Sequence, residues 1–345
     1  MRRALLLGAL VTINLAGATT YVILERGDDS AAAVSAVART STSSTTTTST
    51  STPTTTTTIP PTTTTLAPVA PVSRADVFTG YGAWIDVFDF SPGYMQEGEP
   101  TPVITPDTLD VMAAEGVRTL YIQASRDDPR TPGDIESPET VARFLVKAHS
   151  LGMRVVAWYL PKNYDDGDLR RFRAIRDFRA EGQGFDGIGV DIEFRGNVTD
   201  VAERNRRLVD MTRRLREESG GYPIAAIVLP PVVTDIINLN FWPSFPWQEI
   251  KPYYDAWMPM GYWTNRKSSS EWRDAYKYTE ANVAMVRAHL GDPAAPVHPI
   301  GGIGDAATVA DYQGFMQAVR ATGSIGWSNY DWRTTAPDAL PTLRG

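Results

Sequence analysis

Eight short apolar runs alternate with amphipathic stretches from Val77 to the C-terminus, and this alternation restricts the fold more than any other feature. The runs are residues 83–88, 119–123, 154–159, 187–193, 224–229, 256–260, 297–303 and 324–328. Each is short and bounded by turn residues, as buried strands are. The stretches between them carry helix boundaries. Thr105-Pro106-Asp107 and Ser137-Pro138-Glu139 each put a capping hydroxyl before a proline at the first helical position. Asp200-Val201-Ala202-Glu203 reads as a capping box for a helix running to Glu218. Gly116, Gly152, Gly220 and Gly291 stand where helices stop. Strands that alternate with helices form a parallel sheet covered on both faces. About 270 residues for eight units suit a closed ring. The expectation is an α/β fold, a (β/α)8 TIM barrel over residues 71–345, with its chemistry at the C-terminal strand ends. An open doubly wound sheet is the alternative, but the first strand lacks the Gly-rich turn of its nucleotide-binding versions.

The N-terminal part has a different character. Arg2 and Arg3 precede an apolar run that lasts to Leu24, and Glu25, Arg26, Asp28 and Asp29 follow. Such a run just spans a bilayer, with the arginines on the cytoplasmic side. Residues 1–25 therefore read as a signal-anchor or as a signal peptide cut after Ala16-Gly17-Ala18. The apolar continuation through Tyr21 favours the anchor. Both readings place the barrel outside the cytoplasm, membrane-anchored or secreted. Residues 26–70 include a tract from Thr40 to Pro68 made almost wholly of Thr, Ser and Pro. It has little apolar surface to bury and is expected to be a disordered linker, a stalk.

Composition removes several classes of function. The chain has 345 residues, a net charge of −7 and no Lys/Arg-rich tract, so no nucleic-acid partner is expected. It has no cysteine, which excludes disulfides, thiolate metal sites and cysteine nucleophiles. His149, His289 and His298 are its only histidines and are scattered, so neither a metal nor a cofactor is expected. Nothing in the pattern calls for a second subunit, and a monomer is expected.

The most informative segment is Asp186-Gly187-Ile188-Gly189-Val190-Asp191-Ile192-Glu193, in the fourth run. Strand side chains alternate faces. If Ile188, Val190 and Ile192 face the helices, then Gly189, Asp191 and Glu193 face the barrel interior. Two carboxylates on one face raise each other's proton affinity. An acid that holds its proton beside a second carboxyl group is what glycosidic cleavage uses. The competing reading is a structural acid pair neutralised by a neighbour such as Arg195.

This segment resembles the strand-four motif of glycoside hydrolase family 18, the chitinase-like barrels, which reads Asp-Gly-apolar-Asp-x-Asp-x-Glu. Asp186, Asp191 and Glu193 match its acids. The resemblance implies that Glu193 is the general acid/base and that Asp191 orients an N-acetyl group of the substrate, which acts as nucleophile. It also places Asp186 with the substrate-binding residues. Met258-Pro259-Met260-Gly261-Tyr262-Trp263 is similar to the family's strand-six Met-x-Tyr-Asp. That similarity gives Tyr262 a hydrogen bond to the reacting acetamido group. Ser324-Ile325-Gly326-Trp327-Ser328 is similar to the strand-eight segment whose Trp floors the sugar subsite, a role then implied for Trp327. Two positions depart from the pattern. Gly189 replaces the second acid of strand four, and Trp263 replaces the Asp after the strand-six Tyr, becoming itself a candidate sugar contact.

Other strand ends add candidates. Asp86 lies near the end of the first run, Gln123 closes the second, and Trp158 lies near the end of the third. The seventh run has no Glu, and Asp305 is its nearest acid. That absence leaves substrate assistance, or an inverting arrangement with a second acid elsewhere. The aromatic loop from Phe241 to Trp247 is expected to form a local core with one ring at the cleft. The expected function is extracytoplasmic hydrolysis of a polysaccharide or cell-wall glycan. The alternatives are a non-catalytic carbohydrate-binding barrel on a stalk and a muramidase of the family 25 type.

Overall fold

The computed structural model describes residues 74–95 and 101–345. The expected membrane segment and linker lie outside the described residues. Among the described residues, no helix is long and apolar enough to cross a membrane.

The strands are β1 (Gly80–Ile85), β2 (Thr119–Gln123), β3 (Arg154–Tyr159), β4 (Gly187–Ile192), β5 (Ile224–Val228), β6 (Ala256–Gly261), β7 (Ile300–Ile303) and β8 (Gly326–Tyr330). They form a closed barrel in sequence order, with every adjacent pair parallel. The helices are α1 (Val87–Phe90), α2 (Thr108–Ala114), α3 (Pro138–Ser150), α4 (Asp166–Asp177), α5 (Val201–Ser219), α6 (Trp247–Ile250), α7 (Ala275–Leu290), α8 (Val309–Thr322) and α9 (Leu340–Leu343). The TIM-barrel expectation therefore holds for the C-terminal part of the chain.

Most boundaries follow local chemistry. Pro138 opens α3 at its first turn. The Asp200 carboxylate accepts from Glu203 N at 2.7 Å and caps α5. Only half of the expected capping box forms, because the Glu203 side chain turns to Arg206 and Arg207 instead. Gly291 takes φ 58° and stops α7. Two strands differ from expectation. β1 ends at Ile85 because Asp86 caps α1, accepting from Phe88 N at 2.8 Å, while Asp89 accepts from Asp86 N at 2.9 Å. β8 starts and ends two residues later than the apolar run suggested, which moves Tyr330 into the strand.

Inside the ring, Phe78, Trp84, Tyr121, Val156, Trp158, Ile227 and Met258 belong to one buried cluster. Burying each large apolar side chain contributes roughly 1.5–3 kcal/mol. The register sets which residues share a level. Followed round the ring from Asp86 through each neighbouring strand, the pairings return to β1 at Phe78, eight residues back. This is the stagger of a TIM barrel, so a constant height gains one residue per strand. Direct pairing carries Asp86 to Gly189 on β4, and the correction for height lifts the match to residue 192. Asp86 thus stands one residue below Glu193 at the C-terminal mouth. The same reasoning puts Tyr262 level with Glu193, Asp331 level with Asp86, and Trp84 and Trp158 below them.

Candidate active site

Aromatic rings make the floor of the mouth. Trp84 stacks on Tyr121 with ring centres 4.4 Å apart and meets Trp158 edge-on at 5.8 Å. Its indole N–H donates to Ser328 Oγ at 2.8 Å, which fixes the ring. Trp158 and Ile227 also explain Gly189. A Cβ at that position would lie 2.9 Å from Ile227 Cδ1 and 3.1 Å from Trp158 Cβ. The acid expected there from the family pattern has no space.

Above this floor β4 presents its acids inward. Asp191 is 7 % exposed, and its Oδ1 has no hydrogen-bond partner. Burial first, and then the charge of Glu193, holds its carboxyl well above the usual carboxylate range. Glu193 is half-buried, and burial pushes it up to about 7 with no charged neighbour to offset the effect. A buried carboxyl without a partner is neutral, so the pair keeps at least one proton at neutral pH. Burial, Glu193 and Asp191 in turn keep the Tyr262 hydroxyl protonated. The Tyr164 hydroxyl donates to the Phe194 carbonyl at 2.7 Å and pins the backbone just beyond Glu193.

A second acidic group faces this pair from β1 and β8. Asp86, 6 % exposed, accepts from the Tyr330 hydroxyl at 3.1 Å as well as from Phe88 N. The Tyr330 ring lies against that of Tyr262, centres 5.9 Å apart, so two tyrosines bridge the acidic groups. Burial and the nearby Asp331 push Asp86 up to about 6, against the pull of Phe88 N, Tyr330 and Arg333. Carboxylate oxygens of Asp86, Asp89 and Asp331 lie within 4.8 Å of one another. Arg333 places Nε 2.9 Å from Asp89 Oδ1, so a guanidinium already supplies positive charge to this cluster. Other cations of this end are turned onto rings or neighbours. Arg130 lies over Tyr94 at 4.1 Å and Arg195 over Phe241 at 3.8 Å, while Lys162 donates to the Asp127 carbonyl.

The residues expected from sequence divide by strand face and end. Asp86, Trp158, Asp191, Glu193 and Tyr262 point into the barrel near its mouth. Gln123 also points inward, but its side-chain carbonyl accepts from Val87 N at 3.3 Å and positions α1. Three expectations are corrected. Asp186 lies at the opposite end of β4, where it accepts from Val155 N at 2.7 Å and contacts His149 Nε2 at 2.9 Å. Trp263 is fully buried on the outer side, against Phe315 and Tyr312 of α8. Trp327 faces outward from β8, stacked on Tyr81, with its N–H donating to the Leu343 carbonyl at 2.8 Å. The aromatic loop packs on itself and on α5, with Trp242 donating to Asn205 Oδ1 at 2.7 Å. Tyr330, Asp331 and Arg333 escaped the sequence reading because β8 was expected two residues too early. A cavity of about 760 Å³ lies elsewhere, among Pro106, Arg143, Val146 and Glu181, and no residue of the mouth lines it.

Comparison with known proteins gives matches of shape. No family model matches the sequence, and no curated protein matches it. Among solved structures, the barrel is similar to an endo-β-1,4-mannanase from Thermotoga petrophila, with TM-score 0.56 and 14 % identity over 77 % of this chain and 76 % of that one. It is similar to the C-terminal domain of a putative chitinase from Desulfitobacterium hafniense, with TM-score 0.56 and 11 % identity over 77 % and 98 %. The spore cortex-lytic enzyme SleL of Bacillus cereus follows, with TM-score 0.55 and 10 % identity over 77 % and 73 %. The likeness is one of fold.

Proposed function

We propose that this chain is an extracytoplasmic glycoside hydrolase, a diverged relative of the family 18 barrels, that cleaves a polysaccharide or cell-wall glycan with Glu193 as its general acid. The observation that carries the reading is the Asp191–Glu193 pair, inward-facing and raised in proton affinity by burial. Glu193 protonates the glycosidic oxygen as the bond to the anomeric carbon breaks. Burial favours the protonated form of Glu193, and the Tyr262 hydroxyl is placed to donate to a substrate oxygen near the reacting carbon. The half-buried rings of Tyr262 and Tyr330 suit the apolar faces of sugars. The solved neighbours named for mannan, chitin and spore cortex support a glycan as substrate. The arginine-led apolar N-terminus and the Thr-rich tract support a place outside the cytoplasm.

A second reading has one observation in its favour. Gly189 cannot be an acid here, and a binding barrel would tolerate that loss. The test is to incubate the purified protein with chitin oligomers, mannan and peptidoglycan and to follow the release of reducing ends. Glu193→Gln is expected to lower the rate by at least about 10²-fold and to leave glycan binding intact. Wild-type protein that binds a glycan and cleaves none would establish the binding barrel instead.

A further inference from the structure

We infer that Tyr164 is the positioning residue of the proposed acid: its hydroxyl, carried on a loop rooted at Asp168, sets where Glu193 stands. The inference rests on the reading of Glu193 above. Strand pairing does not reach that residue. The ladder of β4 with β3 stops at Val190, and its ladder with β5 stops at Ile192. Glu193 therefore follows the last paired residue, where a strand end is freest to move. The Phe194 carbonyl, one residue on, accepts from the Tyr164 hydroxyl at 2.7 Å.

The loop between β3 and α4 is built to hold that hydroxyl in place. Asp165 caps α4 by accepting from Gly167 N at 2.8 Å, which puts Asp168 in the first turn. Asp168 is 2 % exposed. Its carboxyl group accepts from three consecutive backbone amides, Lys162 N at 3.2 Å, Asn163 N at 2.8 Å and Tyr164 N at 2.6 Å, and from the Tyr159 hydroxyl. Successive amides turned to one point form a nest, and here a side chain of the same protein fills it. Tyr164 takes φ 53° in this loop, the left-handed region that a bulky side chain disfavours. Glycine would take that backbone without strain. A buried tyrosine stands there instead, and its hydroxyl reaches across to β4. Strain retained at such a residue points to a function of its side chain. Burial, Asp191 and Asp168 keep the hydroxyl protonated and thus a donor. Asn163 ties the same loop further out, where its Oδ1 accepts from Asn197 Nδ2 at 2.9 Å.

The consequence falls on the proton transfer. An acid misplaced by about 1 Å costs about 10²-fold in rate. Without the Tyr164 hydroxyl the end of β4 is loosened and water gains access to the Glu193 carboxyl. Both changes act on kcat rather than on the binding of substrate.

Tyr164→Phe removes one oxygen and keeps the ring and the loop. Full-length wild type, Tyr164→Phe, Asn163→Ala and Glu193→Gln are assayed on the β-1,4-linked hexamers of N-acetylglucosamine and mannose and on peptidoglycan. The Glu193 carboxyl is titrated by carbon NMR in glutamate-labelled protein, its signal assigned by its loss in Glu193→Gln. Tyr164→Phe should melt within a few degrees of wild type, with kcat lowered about 10- to 10²-fold and KM little changed. Its Glu193 titration should move from about 7 down towards the ordinary carboxylate range. The groups facing Glu193 in that titration are Asp191 on β4, Tyr262 beyond β6 and Tyr164 itself. Asn163→Ala loosens only the outer part of the loop and should keep kcat within about threefold of wild type. A kcat that close to wild type in Tyr164→Phe, an equal fall in Asn163→Ala, or an unmoved Glu193 titration overturns the inference and leaves Glu193 as the acid. Full activity in Glu193→Gln, or cleavage of none of the substrates, overturns both.

Discussion

The Cβ of Trp158 stands in the space that a side chain at Gly189 would need. The glycine is therefore a packing requirement of the aromatic floor as well as a departure from the family 18 pattern. Restoring an acid by Gly189→Asp pushes a carboxylate against Trp158 and Ile227. Overpacking costs about 1–3 kcal/mol, and an unpaired buried charge adds to it. The variant is expected to lose at least about 3 kcal/mol in urea unfolding and to gain no activity. A variant as stable as wild type, with faster turnover, would mean that the floor yields and that the acid was lost for another reason.

The alternation of Asp191 and Glu193 was legible in the sequence because a buried strand has a two-residue period and β4 obeys it along its whole length. Tyr262 was reached only through the resemblance of its segment to the strand-six pattern of family 18. The failures came where the period was anchored wrongly or where neighbours competed. β8 carries Trp327 and Asn329 outward and Ser328 and Tyr330 inward, and a start two residues early hid Tyr330 beyond the strand's end. Trp263 follows Tyr262 in sequence, yet the close approach of Gly302 opens an outer slot where its ring packs on α8. Asp186 belongs to the motif by spacing, but it precedes the strand and so lies at the far end from Glu193. The link between Asp86 and Tyr330 spans 244 residues, and only the closed ring brings it about.

The corrected place of Asp186 makes a prediction of its own. Its carboxylate serves the Val155 amide and His149 rather than the mouth. Asp186→Ala leaves a buried backbone donor without its side-chain partner, at a cost of about 1–3 kcal/mol. Stability should fall by that amount in chemical denaturation, with kcat unchanged in the folded variant. A large loss of kcat in a protein that remains folded would return Asp186 to the site.

The acid proposed for catalysis limits the active pH range. Glu193 must be protonated to donate a proton, and burial places it at about 7. The groups facing it are Asp191, Tyr262 and Tyr164. The limb is thus an apparent value of a coupled cluster. The rate should fall as pH rises above about 7, measured as kcat/KM. Glu193→Gln should lose that limb in its residual activity. An unchanged alkaline limb would assign the titration to another group.

His298 carries the last prediction, one about stability. It is fully buried, with Nδ1 2.7 Å from the Phe78 carbonyl and its ring edge-on to Tyr121. Burial lowers its pKa to about 4, the Phe78 carbonyl resists this, and Arg154 adds to the lowering. The unfolded chain binds the His298 proton near its ordinary value of about 6.5, so between those values the unfolded state holds more protons than the folded one. The stability from a neutral His298 is complete above about pH 6.5 and is lost as pH falls towards 4. The loss amounts to about 2 kcal/mol by pH 5. Urea midpoints at about pH 7.5 and pH 5 measure it. His298→Gln keeps a side-chain donor for Phe78 and cannot titrate, so its stability should fall less over that interval. Equal losses in the two proteins would show that the acid sensitivity of this barrel arises elsewhere.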